Sequence, residues 1–143
     1  MLSKTENLQD WGLLVLRVVV GLIFFIHGWQ KLFLFGFGGT AGFLGSIGIP
    51  LPGVFGVVLP LVEFLGGLAL ILGIYTRLVA IPLAIDNLVA LFVYHLPNGF
   101  YAANQGYEFV LTLLAVNIAF VLIGGGAYSV DARLPQRFRV APG

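Results

Sequence analysis

Apolar residues run along this chain in four long blocks, 11–35, 52–74, 77–96 and 106–123, separated by short stretches rich in Gly, Pro and Asn. Each block reaches the length needed to cross about 30 Å of hydrocarbon. Pro52 opens the second block, Pro97 closes the third, and Gly124-Gly125-Gly126 stops the fourth, so all four read as helices with defined ends. Pro60 and Pro82 fall inside blocks two and three; each frees a backbone carbonyl that a helical bundle must satisfy from a neighbour. The expected architecture is all-α: a four-transmembrane-helix bundle with a tight turn at Tyr75-Thr76 and a longer loop from Pro97 to Gly106. Between blocks one and two, 36–50 reads as a Gly-rich connector in which Phe43, Leu44 and Ile47 have helical spacing, which predicts a short amphipathic helix at the membrane interface.

Composition agrees. Of 143 residues, 59% are hydrophobic and 9% charged, and the mean hydropathy is +1.04. A soluble domain carries about 25% charged residues, so this chain belongs in a bilayer. The net charge of +1 says nothing about nucleic acid, but no basic run is dense enough to bind it, so no nucleic-acid partner is expected. The absence of cysteine excludes disulfides and thiolate metal sites. No cleavable leader is expected, because Lys4 is followed by Glu6 and Asp10 and the first apolar block is too long for one. Lys4, Arg77, Arg133, Arg137 and Arg139 fall on one side of a four-span topology and only Lys31 on the other, which predicts both termini cytoplasmic.

The polar residues inside the blocks carry the candidate chemistry. Glu63, Asp86 and Glu108 are half of the six acids in the chain, and the first block holds Arg17, His27 and Lys31. Ionisable groups at membrane depth face a protein interior or a watery cavity and are paired there. With about 1.5 Å of rise per residue, Glu63, Asp86, Asn87 and Asn117 fall near the midplane and His27 slightly outward. Lys31, His95 and Glu108 fall in one layer about 12 Å further out. The resulting expectation is an outward-opening polar pocket lined by His27, Lys31, Glu63, His95 and Glu108, with Trp29 and Phe33 beside it, over an inner set of structural charges, Arg17, Asp86 and Arg77. The competing reading is a set of ion pairs that only fix helix register, such as Arg17 with Asp86 or Lys31 with Glu108.

Helical phase qualifies the pocket. His27 and Lys31, four apart, share a face. Asp86 and His95 are nine apart and lie on opposite sides of an ideal helix, as do Glu108 and Asn117. Asn117 is therefore expected at an oligomer contact. Two histidines on different blocks have no metal-ligand spacing, no nucleophile constellation is visible, and the dinucleotide-like Gly spacing at 36–41 lacks its strand and helix context. No metal is expected.

These residues together resemble the DoxX family of small four-helix membrane proteins. The likeness rests on Arg17, the run His27-Gly-Trp-Gln-Lys31-Leu-Phe33, the stretch Phe43 to Pro52, Glu63-Phe-Leu-Gly-Gly67, Leu72 to Arg77, Asp86, His95 to Phe100, Gly106-Tyr-Glu108 and Tyr128-Ser-Val-Asp131. It covers nearly everything from Arg17 to Leu134 and implies one membrane domain, 1–134, followed by a basic polar tail, 135–143. It implies a multi-pass protein of the bacterial inner membrane and links the chain to membrane redox systems that use quinones. The chain shows no electron-carrying cofactor of its own, so the resemblance implies a membrane subunit of a quinone-linked redox complex, catalytic or not, with a quinone as ligand and other subunits or further copies of the chain as partners. A structural or assembly subunit without ligand, and a permease for a small solute or protons, are the alternatives.

Overall fold

The computed structural model describes residues 4–138, and the described residues form helices joined by turns. Helix α1, Lys4–Trp29, runs into a π-helical turn, Gln30–Phe35, and then into α2, Gly36–Ser46. Helix α3 spans Pro52–Leu72 and α4 spans Thr76–Ala90. A second π-helical turn, Leu91–His95, and a short 3-10 turn, Leu96–Asn98, extend α4. Helix α5 spans Glu108–Ile123.

The breaks follow from local chemistry. Pro52 takes the first turn of α3, where its missing N–H costs nothing, and Pro60 and Pro82 sit inside continuous helices. Gly73 at φ 72° ends α3 in the left-handed conformation open to glycine, and Gly124 at φ 88° ends α5.

Three helical stretches are long and apolar enough to cross a membrane: Asn7–Ser46, Pro52–Leu72 and Thr76–Asn98. Helix α5 is apolar and 16 residues long, so it covers about 24 Å. The first stretch differs from the expected 11–35. It takes in eleven residues beyond the π-helical turn, after a break at Gly36 (φ 71°, ψ 173°), and the short helix expected in the connector is this segment, α2. It lies along the first half of α3, where a Cβ on Gly56 would meet Ala41 at 2.8 Å, and its outer face, with Phe37 and Phe43 exposed, is itself apolar.

Helices α1 and α3 are antiparallel and cross closely. A Cβ on Gly21 would lie 2.7 Å from the carbonyl of Gly67, and one on Gly28 would overlap the backbone of Phe64. Small residues bring backbones together where lipid offers no hydrophobic drive between helices. The core behind this seam holds Val20, Phe24, Leu70, Ala80, Leu83, Leu113 and Phe120.

Both ends of the described chain lie at the same end of the bundle. Asp10 on α1 accepts the N–H of Ala127 at 2.9 Å, and the Tyr128 hydroxyl donates to Asn7 at 2.6 Å. The segment after α5 is tied into the bundle. Val130 and Asp131 donate their N–H groups to Leu72 and Gly73, supplying the C-terminal carbonyls of α3 with partners. The Asp131 carboxylate accepts the N–H groups of Tyr75 and Thr76 and so caps α4. Arg137 and Phe138 are exposed, and Arg139 lies outside the described residues.

Candidate functional site

The polar residues of the spans sort into three groups, and the sorting follows from helix register. Lys31 lies in the π-helical turn that interrupts the first long helix. Its partner Glu63 stands near the middle of α3, so position 31 falls in the middle of the bundle and not at its rim. There the Lys31 ammonium donates to the Glu63 carboxylate of α3 at 2.7 Å, with the two side chains 19% and 8% exposed. Glu63 and Asp86 stand about equally far from the turn at 73–75, on opposite arms of the α3–α4 hairpin. Gly66, three residues nearer that turn, packs on Leu83, also three nearer, so this register sets the two acids side by side. Asp86 thus stands beside the Lys31–Glu63 pair, within electrostatic reach of both.

His27 is the fourth member. One turn before Lys31 on α1, it lies within electrostatic reach of Lys31 and Glu63. Its side chain is exposed on the bundle surface, and its ring makes no hydrogen bond among the described residues. Two residues on, Trp29 is about 200° round the helix and points elsewhere; it packs on Phe33, with ring centres 5.8 Å apart, and Phe33 meets Phe64 edge-on at 6.5 Å. The aromatic pair therefore lies on a different face of α1 from the imidazole.

His95 and Glu108 do not join this cluster. At the end of the bundle away from the termini, His95 Nδ1 lies 2.8 Å from the carbonyl of Gln105, and Glu108 Oε1 accepts the N–H of Ala102 at 3.1 Å. Both hold the loop 99–107, whose backbone closes on itself through Tyr107 to Gly99 and Glu108 to Phe100. Glu108 also lines a shallow surface cleft with Phe100 and Phe109. The single outer layer expected of Lys31, His95 and Glu108 is thus divided. Lys31 belongs with Glu63 and Asp86, and the other two belong to a loop.

The inner set divides as well. Arg17, 1% exposed, donates to the carbonyls of Gly125 and Tyr128, both at 2.9 Å, at the end of the bundle that carries the termini. Arg77 donates to the carbonyl of Ile123 at 3.1 Å. Neither reaches Asp86, so the pairs Arg17–Asp86 and Lys31–Glu108 do not form. Helix ends leave four carbonyls unbonded, and the two arginines serve those near 123–128. Asn117, expected at an oligomer contact, is fully buried and donates to Asn87 at 2.9 Å across the α4–α5 hairpin.

Asp86 is expected among the structural charges, although depth sets it at the level of Glu63. The signal was present in the sequence as its equal distance from the turn, which pairs positions across an antiparallel hairpin. Among the described residues no group of three or more His, Cys, Asp or Glu is placed to hold a metal ion.

The fold and this cluster define the class first: a helical, multi-pass membrane protein with a charged constellation buried at membrane depth. Within that class, the family model described as DoxX matches residues 12–96, and the chain belongs to the DoxX family. It is 33% identical over 138 residues to "Inner membrane protein YqjF" of Escherichia coli (strain K12), an alignment that takes in 93% of this chain and 99% of the relative. It is 35% identical over 108 residues to "Putative oxidoreductase CatD" of Bacillus subtilis (strain 168), covering 76% of this chain and 77% of that one. "Inner membrane protein YphA" of Escherichia coli (strain K12) is 30% identical over 126 residues, covering 85% and 89%. No solved structure matches the chain.

Proposed function

We propose that this DoxX protein is an integral membrane subunit of a quinone-linked redox complex, with four spans and both termini in the cytoplasm, and that its ligand docks from the bilayer against His27. The observation that carries this reading is the exposed imidazole of His27, without a hydrogen bond among the described residues, beside the buried Lys31–Glu63 pair. A quinone is dissolved in the hydrocarbon, so its site must open sideways, and its head needs a hydrogen-bonding group set in apolar surroundings. An imidazole at the protein–lipid boundary meets both needs, because it can donate or accept a proton. Lys31 places positive charge behind it, which favours a ligand oxygen that gains negative charge on reduction. Electrons come from a partner subunit in this reading. The naming of one relative as an oxidoreductase supports the redox direction.

The test is quinone retention. The protein is purified in lipid nanodiscs containing a short-tailed ubiquinone or menaquinone, and the bound fraction is measured by mass spectrometry. His27→Ala is expected to weaken retention about tenfold, the worth of one hydrogen bond of about 1.4 kcal/mol. Glu108→Gln, in the loop, is expected to leave it unchanged. Retention that is absent in the parent protein, or equal in parent and His27→Ala, overturns the reading.

A structural subunit is the second reading, and the Lys31–Glu63 contact favours it, because it ties the first helix to α3 across the seam. On that reading Lys31→Ala lowers the yield and thermal stability of the complex in step, and His27→Ala changes neither.

A further inference from the structure

Lys31 contributes one positive charge to the junction of α1, α3 and α4, and Glu63 and Asp86 contribute two carboxyl groups that the α3–α4 register sets side by side. Every ionisable group facing the pair can be named. His27 and Lys31 approach from the first long helix, Glu63 from α3 and Asp86 from α4. From α5 the nearby polar side chain is the uncharged Asn117, bonded to Asn87. Two ionised carboxylates are both acceptors only, and cannot hydrogen-bond to each other; a contact between them needs a proton. Leaving the trio with an uncompensated negative charge at membrane depth is costly in the same measure.

We infer that Glu63 and Asp86 hold one exchangeable proton between their oxygens, so that with Lys31 the trio is neutral. This is a proton store at membrane depth, and it deepens the quinone reading, on which only the following step rests. When an oxygen of a ligand at His27 gains charge, one proton leaves the pair and forms its O–H bond. The trio then passes from neutral to one net negative charge, and a proton from water restores it. Three groups set the charge balance, and each can be removed separately without changing side-chain size greatly.

Infrared spectroscopy of the purified full-length protein in nanodiscs, with no quinone added, reads the proton directly. A protonated carboxyl shows a C=O stretch that an ionised one lacks. At neutral pH the parent protein is expected to show such a band, moved to lower frequency in heavy water. Asp86→Asn and Glu63→Gln each leave one acid facing Lys31, and each is expected to abolish the band. Lys31→Met leaves two acids and no cation, and is expected to raise the band to about twice its parent intensity. A parent protein without the band, a band indifferent to heavy water, or one that survives both Asp86→Asn and Glu63→Gln overturns the inference. Lys31→Met keeps it testable if the two acid variants fail to fold, since loss of the band there also overturns it. Because no quinone is present, failure here leaves the retention test standing, and failure of retention leaves the proton store standing.

Discussion

Asn87 and Asn117 show how a single buried side chain is valued inside the bundle. The amide of Asn117 donates to Asn87, and its own oxygen finds no partner among the described residues. Interhelical hydrogen bonds of this kind contribute about 0.6–2 kcal/mol in membranes. Asn117→Leu is expected to lower unfolding stability by that amount, by stranding Asn87. The double variant Asn87→Leu with Asn117→Leu should cost less than the sum of the two single variants, a coupling that a double-mutant cycle in a mild denaturing detergent reads directly. Glycines offer the opposite case. Gly28→Ala puts a methyl group into the backbone of Phe64 and should cost about 1–3 kcal/mol or prevent assembly, whereas Gly38→Ala, with nothing within 4 Å, should be neutral or slightly stabilising. A thermal-shift comparison of the two separates helix packing from the general effect of losing a glycine.

Elements are held at the terminal end by the segment after α5. Asp131 caps α4, while Val130 and Asp131 occupy the last carbonyls of α3. Arg17 fits against Gly73, whose missing Cβ leaves room for the guanidinium. Asp131→Ala is expected to cost about 1–2 kcal/mol through loss of the cap. The first turn of α4 should then exchange its amide hydrogens faster than the middle of α4, as hydrogen-exchange mass spectrometry resolves. Gly73→Ala is expected to cost at least as much, because it combines a left-handed backbone with displacement of Arg17. The resemblance motif at Tyr128–Asp131 thus acquires a physical meaning: Tyr128 packs on Trp11 at 4.7 Å and bonds Asn7, Ser129 bonds Gly126, and Asp131 caps α4.

For the molecule as a whole, the α1–α3 seam and the α4–α5 hairpin meet through α3 and α4, and the charged cluster sits where the two halves join. The proposed orientation has a direct test, because the chain has no cysteine and single cysteines can be introduced without background. Thr5→Cys and Arg133→Cys are expected to react with a membrane-impermeant maleimide only after the cells are opened, whereas Asn104→Cys, in the loop away from the termini, should react on intact spheroplasts. The opposite pattern inverts the topology and moves the ligand entrance with respect to the cytoplasm.

The sequence by itself determined the membrane class, the start of α3, the end of α5 and the family, because runs of apolar residues, prolines and glycines act locally. It also named every charged residue of the cluster. It did not decide which of them meet. Lys31 is expected at the rim because a count along one helix does not name its partner; its contact with Glu63, near the middle of α3, places it deeper. Depth sets Asp86 at the level of Glu63, near the midplane, but does not say which residues at one level touch. Contact depends on register between helices, and register is set by where small residues such as Gly21, Gly28, Gly66 and Gly67 let backbones approach. That is a property of pairs of elements, and only the tertiary structure holds it.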